Sequence, residues 1–334
     1  MMSRLRIGTR GSPLARYQAE LVGSELQRHW PGLEIEYVYV RTEGDRRVAV
    51  PLDQIAGQGV FVKEIQSGLL RGDFDVAVHS MKDLPGITPT ELAIAAVPPR
   101  ADPRDALAAA VATLEDLPRA STLATSSPRR IAQLRAHRPD LAFVLVRGNV
   151  ETRLRKVGEQ GLAGAVLAAA GLVRLGLAER ITQYIPIDVC LPQVGQGALA
   201  VEIRAADTTT QRLVEILDDP VARATTTAER AFLRRLGGGC QLPVGALALP
   251  VSSEGQDPLA PFMAAERPRP SPHLGPDSIV LRGFIGSRDG SQIWRGQLEG
   301  RAAEGAELGG RLADQLLADG AETLRRESQD GRAC

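Results

Sequence analysis

Short apolar strand segments alternate with amphipathic helical segments along most of this chain, and stretches rich in proline and glycine interrupt the alternation twice. The interruptions fall at residues 98–103 and 192–197. Alternation of this kind is typical of mostly parallel sheets flanked by helices. The strand predicted at residues 198–203 belongs naturally to the series that precedes the first interruption. The sequence therefore predicts two α/β lobes joined by two chain crossings, with a hinged cleft near the carboxyl ends of the strands.

A smaller unit is predicted after the second lobe. A helix predicted at residues 225–236 ends in three glycines, a common helix stop, and three strands and a final helix follow. The predicted fold class is α/β, with two lobes like those of periplasmic binding proteins and a smaller α+β C-terminal domain. The predicted boundaries are 1–98 with 198–217 for the first lobe, 103–192 for the second lobe and 220–334 for the third domain, which includes a disordered insertion at 251–276.

The charge balance and the apolar stretches exclude several classes of protein. The 334 residues include 40 basic and 40 acidic side chains, so the formal net charge is zero, unlike that of a globally basic nucleic-acid coat. The longest near-continuous apolar stretch covers residues 161–173, whereas a membrane span needs about 20 residues. The N-terminus lacks a secretory pattern, and the three widely separated cysteines match neither a disulfide framework nor a zinc site. We expect a cytoplasmic protein without a metal site.

The segment TSSPRR is the clearest candidate anion site. A strand is predicted to end at Thr125, Ser127 to cap the following helix and Pro128 to open it. Free backbone N–H groups at the helix start and the guanidinium groups of Arg129 and Arg130 suit a carboxylate or a phosphate. A capped helix with two solvated arginines is the alternative for this segment taken alone.

Further arginines extend this candidate site. Between residues 119 and 156, nine basic residues stand against two acidic ones. Polar side chains predicted to join the cleft lie at strand ends or on the following helices: Arg10, Ser12, Arg147, Arg153 and Arg174. Nucleic-acid binding is a competing interpretation, weakened by arginines that lie at strand ends rather than along one face and by the scarcity of aromatic residues. No GxxxxGK[ST] phosphate loop occurs.

Two more segments carry reactive side chains. HSMKD places Lys82 and Asp83 after a buried strand, at the cleft edge, where an acid stabilises a developing cation or moves a proton. An ordinary salt-bridged loop is the alternative. Cys240 lies in GGGCQLP, between a helix and a strand, and its glycines let the loop approach another domain closely. A lone cysteine is more often a small buried apolar residue than a nucleophile, but the glycines favour a reachable thiol.

Together these segments resemble the porphobilinogen deaminase family, also called hydroxymethylbilane synthases. The resemblance is collinear over nearly the whole chain and rests on an ordered set of motifs: RIGTRGSPLA, TEGD, GVFVKE, DVAVHSMKDLP, DPRDA, ATSSPRR, RGNVETRL, AAGLVRLG, LPQVGQGA, TAER and GGGCQLPVGA. Each motif is weak alone, and the ordered set is specific. The sequence departs from the usual family pattern at Gln58, where many relatives have lysine, at Pro128, and in the 251–276 insertion.

The resemblance implies a transferase of tetrapyrrole biosynthesis. Such an enzyme condenses four porphobilinogen molecules head to tail, with loss of ammonia, and releases hydroxymethylbilane by hydrolysis. It implies a dipyrromethane cofactor in thioether linkage to Cys240, and a monomer without nucleic-acid or membrane partners. Each pyrrole carries an acetate and a propionate, which accounts for the arginine-rich cleft.

The resemblance also implies roles for individual residues. Asp83 is implied to be catalytic, beneath the pyrrole nitrogens. The residues implied to hold the carboxylates of the cofactor are Lys82, Thr125, Ser127, Arg129 and Arg130. Those implied to bind substrate or the growing chain are Arg10, Ser12, Gln18, Arg147, Arg153 and Arg174, with Phe61 as a lid. A two-lobed solute-binding protein for an organic anion is the main rival, but it would need neither Cys240 nor Asp83 nor a third domain.

Overall fold

The computed structural model describes residues 4–40, 62–237, 242–251, 259 and 277–329. Phe61, Gln58, Cys240, Cys334 and nearly all of the 251–276 insertion lie outside these residues, so the predictions made for them stay predictions. Within the described part of the chain, no helix is long and apolar enough to cross a membrane.

The first lobe is built on a five-stranded sheet with the order β2-β1-β3-β10-β4. Its strands are β1 (Arg4–Arg10), β2 (Glu34–Val40), β3 (Val76–Ser80), β4 (Leu92–Ala96) and β10 (Leu199–Arg204), and its helices are α1 (Pro13–His29), α2 (Lys63–Arg71) and α6 (Thr208–Val214). β1 pairs in parallel with β2 and β3, whereas β10 runs antiparallel to β3 and β4. The apolar face of α1 packs on this sheet, with Leu26 of the helix and Leu5 and Ile7 of β1 completely buried in one core.

The second lobe repeats this arrangement with the order β7-β6-β8-β5-β9. Its strands are β5 (Asp105–Ala109), β6 (Thr122–Ala124), β7 (Ala142–Val144), β8 (Gly164–Ala168) and β9 (Gln183–Tyr184), and its helices are α3 (Pro128–His137), α4 (Val150–Glu159) and α5 (Ala169–Arg174). β6 pairs in parallel with β7 and β8, and β5 runs antiparallel to β8. Both sheets therefore place one reversed strand in the fourth position, and in both the carboxyl ends of the parallel strands lead into loops that carry predicted site residues.

The reversed strand of each sheet is the strand that follows a chain crossing. β5 follows the crossing from the first lobe to the second, and β10 follows the return. Arg100, on the first crossing, is almost fully buried and donates from Nε to the carbonyl oxygen of Gln196 on the second, at 2.9 Å. The two crossings are thus bonded to each other between the lobes.

The third domain is an antiparallel sheet, β11-β12-β13, covered by two helices. Its elements are α7 (Pro220–Arg235), β11 (Val244–Pro250), β12 (Ser278–Gly286), β13 (Ile293–Arg301), α8 (Gly305–Leu316) and α9 (Glu322–Gln329). Phe232 and Leu312 are fully buried in its core. Gly309 brings α8 against α7, because a Cβ atom there would overlap the carbonyl oxygen of Ala228.

The predicted fold class is confirmed, since two α/β lobes precede a smaller domain of sheet and helix. Three element predictions were wrong or incomplete. β5 was not predicted, and α7 begins at Pro220 rather than at residue 225, because Asp219 accepts a hydrogen bond from the Ala222 N–H and Pro220 opens the helix. The sequence also predicts a strand at residues 141–147, and only its central part, β7, forms one. The residue boundaries of the three domains stay a prediction.

Candidate functional site

The TSSPRR segment forms the turn from β6 into α3. The Thr125 hydroxyl accepts the N–H of Ser127 at 3.4 Å, and the Ser127 hydroxyl accepts the N–H of Arg130 at 3.4 Å as the helix cap. Pro128 occupies the first helical position, where no N–H is needed. This local chemistry starts α3 at the end of the strand and so places both arginines in its first turn.

Arg129 and Arg130 converge on Asp105, the first residue of β5. Arg129 donates from Nη1 to Oδ2 at 2.7 Å, and Arg130 donates from Nη2 and Nε to Oδ1 at 2.7 Å and 3.0 Å. The Asp105 side chain is completely buried. Burial opposes ionisation, but the two guanidinium groups outweigh it and hold the pKa of Asp105 well below its usual range. The structure thus shows a buried charge cluster here and not two solvated arginines.

One edge of the Arg129 guanidinium group has no hydrogen-bond partner among the described residues. Its Nη1 donates to Asp105 and to the Leu191 carbonyl oxygen at 2.7 Å, while Nε and Nη2 are buried without a hydrogen-bond partner in the described part of the chain. Arg129 is only 4% exposed, so water does not compensate at the surface. Buried donors of this kind are uncommon and costly, at about 1–3 kcal/mol each. The Nε–Nη2 edge is also the edge that binds a carboxylate with two parallel hydrogen bonds.

Lys82 reaches the same cluster from the first lobe. It lies with Asp83 in a short 3₁₀ turn, Met81–Asp83, directly after β3. Its Nζ donates to Oε1 of Gln196 at 3.3 Å, and Nε2 of Gln196 donates to Oδ1 of Asp105 at 2.9 Å. Burial lowers the pKa of Lys82 to about 8, with Asp83 opposing the shift and Arg130 adding to it. Gln196 therefore connects the basic residues of the two lobes.

Asp83 borders an open pocket in the first lobe. Three other predicted site residues line this pocket: Arg10, Ser12 and Gln18. The Ser12 hydroxyl caps α1 by accepting the Ala15 N–H at 3.4 Å, and the Gln18 Oε1 accepts the Ser80 hydroxyl at 3.0 Å. Asp83 itself is exposed. An accessible carboxylate among polar side chains suits a role at a reacting centre.

Arg153 approaches this region from the second lobe, and Arg147 lies near Arg153. Arg153 donates from Nε to the Gly148 carbonyl oxygen at 2.9 Å. Burial, together with the nearby charges of Arg130 and Arg147, lowers the pKa of Arg153 to about 10, and Asp83 opposes the shift. Asp83 thus lies within electrostatic range of Arg153 on the opposite lobe.

Arg174 occupies a different position, at the seam between the lobes. Its Nη2 donates to the Gly197 carbonyl oxygen at 2.7 Å, at the point where the chain returns to the first lobe. Burial lowers its pKa to about 10, and Tyr17 on α1 opposes the shift. This environment joins Arg174 to the crossing and to α1.

Sequence reasoning missed the side chains that organise the cluster: Asp105, Gln196, Gln133 and Cys190. Asp105 and Gln196 lie inside the motifs DPRDA and LPQVGQGA. The available signal was the shortage of acidic residues between positions 119 and 156, which indicates that a carboxylate from elsewhere in the chain balances the arginines. Cys190 had no predicted role. Its buried Sγ lies 3.4 Å from Asp105 Oδ2 and from Arg129 Nη1, and burial raises its pKa to about 12, so the thiol stays protonated.

β11, which follows Cys240 in the sequence, packs against the buried charge cluster around Asp105. The Ala246 N–H on β11 donates to the Pro192 carbonyl oxygen at 3.1 Å. A Cβ atom at Gly245 would lie 2.9 Å from the carbonyl oxygens of Leu191 and Pro192 and 3.3 Å from Cδ of Arg129. Glycine is therefore required where β11 crosses Arg129. In the described part of the chain, no group of three or more His, Cys, Asp or Glu residues is arranged to hold a metal ion.

Comparison with known proteins relates this geometry to one family. Residues 5–212 match the model of the porphobilinogen deaminase dipyrromethane cofactor binding domain, and residues 224–318 match that of the porphobilinogen deaminase C-terminal domain. The chain is 47% identical to the porphobilinogen deaminase of Roseiflexus sp. RS-1, with 97% of this chain and 99% of that protein covered. It is 43% identical to the enzyme of Geobacter sulfurreducens, with 98% and 95% covered.

Solved structures with a similar outline include solute-binding proteins. A TRAP periplasmic solute binding protein from Desulfovibrio salexigens is 11% identical, with 65% of this chain and 73% of that chain covered and a TM-score of 0.39. The L-cystine solute receptor of Neisseria gonorrhoeae is 14% identical, with 71% and 89% covered and a TM-score of 0.35. The two family models and the near-full-length relatives are decisive, and the chain belongs to the porphobilinogen deaminase family.

Proposed function

We propose that this chain condenses four porphobilinogen molecules head to tail onto a covalently bound dipyrromethane, releases one ammonia at each condensation, and frees hydroxymethylbilane by hydrolysis. Beyond membership of the family, one observation carries the proposal. Asp83, an exposed carboxylate, lies within electrostatic range of both Lys82 of its own lobe and Arg153 of the facing lobe. A substrate that becomes cationic at one carbon and carries two carboxylates needs this combination of charges.

Asp83 is the group proposed to act at the reacting atoms. When the C–N bond of the aminomethyl ammonium group of porphobilinogen breaks, its electron pair leaves with ammonia, and the lone pair of the pyrrole nitrogen delocalises the resulting positive charge over the methylene carbon and the ring nitrogen. The Asp83 carboxylate stabilises that cation by facing the pyrrole N–H. After the new carbon–carbon bond forms, the attacked pyrrole carbon loses a proton, and Asp83 is placed to accept it and pass it to solvent.

The cluster around Arg129 fits a dipyrromethane. When bound, this group supplies the pyrrole carbon onto which the first substrate is joined. The unpartnered Nε–Nη2 edge of Arg129 matches one of its acetate or propionate groups, and Lys82 offers a second positive charge. Thr125 and Ser127 use their hydroxyl oxygens as acceptors, so their hydroxyl protons stay available for donation. Arg130, bonded to Asp105, contributes charge, and Cys240 is the proposed thioether attachment.

The remaining basic and polar side chains are proposed to hold substrate and the growing chain. They are Arg10, Ser12, Gln18, Arg147, Arg153 and Arg174, with Phe61 proposed as a lid. Their placement on both lobes supports a cleft in which carboxylates bind from two sides. We further propose a cytoplasmic monomer that needs no nucleic-acid, membrane or metal partner, with domain boundaries at 1–98 with 198–217, 103–192 and 220–334. Light scattering on the purified protein tests the monomer.

The intact denatured mass of the purified chain, compared with that of Cys240→Ser, tests the function. We expect the wild type to exceed its sequence mass by two pyrrole units and the variant to show no excess. A wild-type chain that stays unmodified after incubation with porphobilinogen would contradict the proposal and favour an anion-binding protein.

A further inference from the structure

Asp105 accepts hydrogen bonds from an unusual number of side chains for a single buried carboxylate. Arg129 and Arg130 supply three of these bonds, Gln196 donates from Nε2 at 2.9 Å, and the Cys190 Sγ lies 3.4 Å away. Gln196 also donates from Nε2 to the Pro103 carbonyl oxygen at 2.8 Å. Every donor comes from another segment, and the sequence separations range from 24 to 91 residues. Because the Asp105 carboxylate accepts all of these hydrogen bonds, it fixes the orientation of the donor side chains relative to one another.

The bonds to Asp105 decide which edge of Arg129 stays open. Because Nη1 is directed to Asp105 and to Leu191, the Nε–Nη2 edge is the one left without a partner in the described residues. Arg130 is held the other way round, with Nε and Nη2 on Asp105 and Nη1 on the Val166 carbonyl oxygen at 2.8 Å. The two guanidinium groups share one counter-ion and present different edges.

The same carboxylate fixes the amide of Gln196. An ionised carboxylate only accepts hydrogen bonds, so the Gln196 NH₂ group must face Asp105 and its carbonyl oxygen must face Lys82. The pKa of Asp105, held well below its usual range, keeps it ionised and preserves this polarity. Through Gln196, Asp105 of the second lobe thus helps to hold Lys82, the residue next to Asp83 in the first lobe.

We infer that Asp105 is a positioning residue, which orients the open edge of Arg129 toward a carboxylate of the dipyrromethane and holds Lys82 in place through Gln196. This inference rests on the proposed function, because that proposal assigns Arg129 and Lys82 to the cofactor. Asp105 touches neither substrate nor cofactor and acts through the cations that it holds.

The test compares two Asp105 variants with a matched control in the same crossing. Asp105→Asn removes the charge, and Asp105→Glu moves the charge by one methylene. Asp102→Asn removes an acid three residues away that pairs with Arg104 at 2.6 Å and makes no hydrogen bond to Arg129 or Arg130. Each full-length chain, purified without bound pyrroles, is incubated with porphobilinogen, and the pyrrole adduct is followed by intact mass over time together with the thermal midpoint.

We expect Asp105→Asn to load at least tenfold more slowly than wild type, Asp105→Glu to be impaired less, and Asp102→Asn to load normally. In the loaded fraction, KM for porphobilinogen should be unchanged, which a general structural defect would not give. Wild-type loading by folded Asp105→Asn or Asp105→Glu would overturn the inference while leaving the proposed function standing. Failure of both variants to fold would also overturn it, since Asp105 would then be needed by the lobe itself. An unmodified wild type would defeat the proposed function instead.

Discussion

Two buried arginine–carboxylate pairs lie on either side of Gln196 and differ in how completely they are bonded. In the closed pair, Arg100 donates to both Glu229 oxygens at 2.6 Å and 3.1 Å, and Glu229 also accepts the backbone N–H groups of Gly195 and Ala248. In the open pair, Asp105–Arg129, the edge of Arg129 formed by Nε and Nη2 has no partner among the described residues. Both arginines are buried, so exposure to water does not explain the difference.

The difference separates a structural pair from a candidate binding pair. The closed pair joins the first crossing, the second crossing and the third domain, and its acceptors are fully used. The open pair lies at the same junction, but the Nε and Nη2 donors of Arg129 have no partner among the described residues. Buried donors are nearly always satisfied in folded proteins, and this edge has no partner among the described residues, so it is the place where we propose that a ligand binds.

The largest effect should follow from breaking the closed pair. Glu229→Gln removes the negative charge that the buried Arg100 binds through two hydrogen bonds, and we expect the free energy of unfolding to fall by about 3–5 kcal/mol. Urea denaturation of the wild type and the variant measures the loss. A loss below about 1 kcal/mol would mean that Arg100 finds other compensation and that the closed pair is not a structural clamp.

A large effect on turnover, without an effect on stability, is expected from Asp83→Asn. The amide cannot balance a developing cation or accept a proton, so kcat should fall about 10²- to 10⁴-fold. The thermal midpoint should not change because Asp83 is exposed. Asp73→Asn, which alters an exposed acid paired with Arg71 in the same lobe, is the matched control. Steady-state kinetics on chains with equal cofactor content give the comparison, and near-normal turnover would remove Asp83 from its proposed role.

Breaking the open pair should affect loading more than stability. Arg129→Leu removes the unpartnered donors, while Asp105 keeps Arg130 and Gln196. We expect cofactor loading to fall about tenfold or more and the free energy of unfolding to change by less than about 1.5 kcal/mol. Intact mass and urea denaturation give the two values. Normal loading with a loss as large as that of Glu229→Gln would reverse the distinction between the pairs.

A smaller, pH-dependent effect is expected from Lys82. Its pKa, lowered by burial to about 8, lies below that of a free lysine, so the folded chain loses this charge as pH rises past 8. The initial rate of cofactor loading should therefore decline between pH 7 and 9, and Lys82→Arg should flatten that decline by keeping the charge. In the unloaded chain the unfolded state binds more protons between pH 8 and about 10.4, so stability rises with pH over that window. If the loading rate declined with pH equally in the wild type and in Lys82→Arg, the decline would come from the titration of another group.

The smallest effect is expected from an exposed pair. Arg4 and Glu36 are 2.6 Å apart, with side chains 61% and 43% exposed. Arg4→Ala should lower the free energy of unfolding by less than about 1 kcal/mol. Urea denaturation beside Glu229→Gln shows how far burial amplifies the cost of losing one partner.

Sequence reasoning found local features of the site but not its long-range bonds. Ser127 and Pro128 correctly located the start of α3, because capping depends only on neighbouring residues. The partners of Arg129 could not be found in this way, since Asp105 lies 24 residues before it and only the pairing of β5 with β8 brings the two together. The hydrogen bond from Gln196 to Asp105 joins residues that are 91 positions apart, one in the second crossing and one in β5.

The element predictions failed for related reasons. β5 is short, and its alanines give no clear strand signal, so its burial between β8 and β9 decides its conformation. The start of α7 was readable from Asp219 and Pro220 and was overlooked. The roles proposed for Asp83 and Cys240 came from the family resemblance, because no local pattern indicates them.

The place of the reversed strands also sets the order in which the lobes can be completed during synthesis. All five strands of the second-lobe sheet lie between residues 105 and 184, so they are synthesised consecutively, without strands of the other sheet between them. In the first lobe, β4 pairs with β10, which is made more than a hundred residues later. Until Arg204 has emerged, β4 has no neighbour in its sheet, so the N-terminal lobe is the later of the two to close. The second lobe, which contains Asp105, Arg129 and Arg130, can therefore fold before the first lobe has all of its strands.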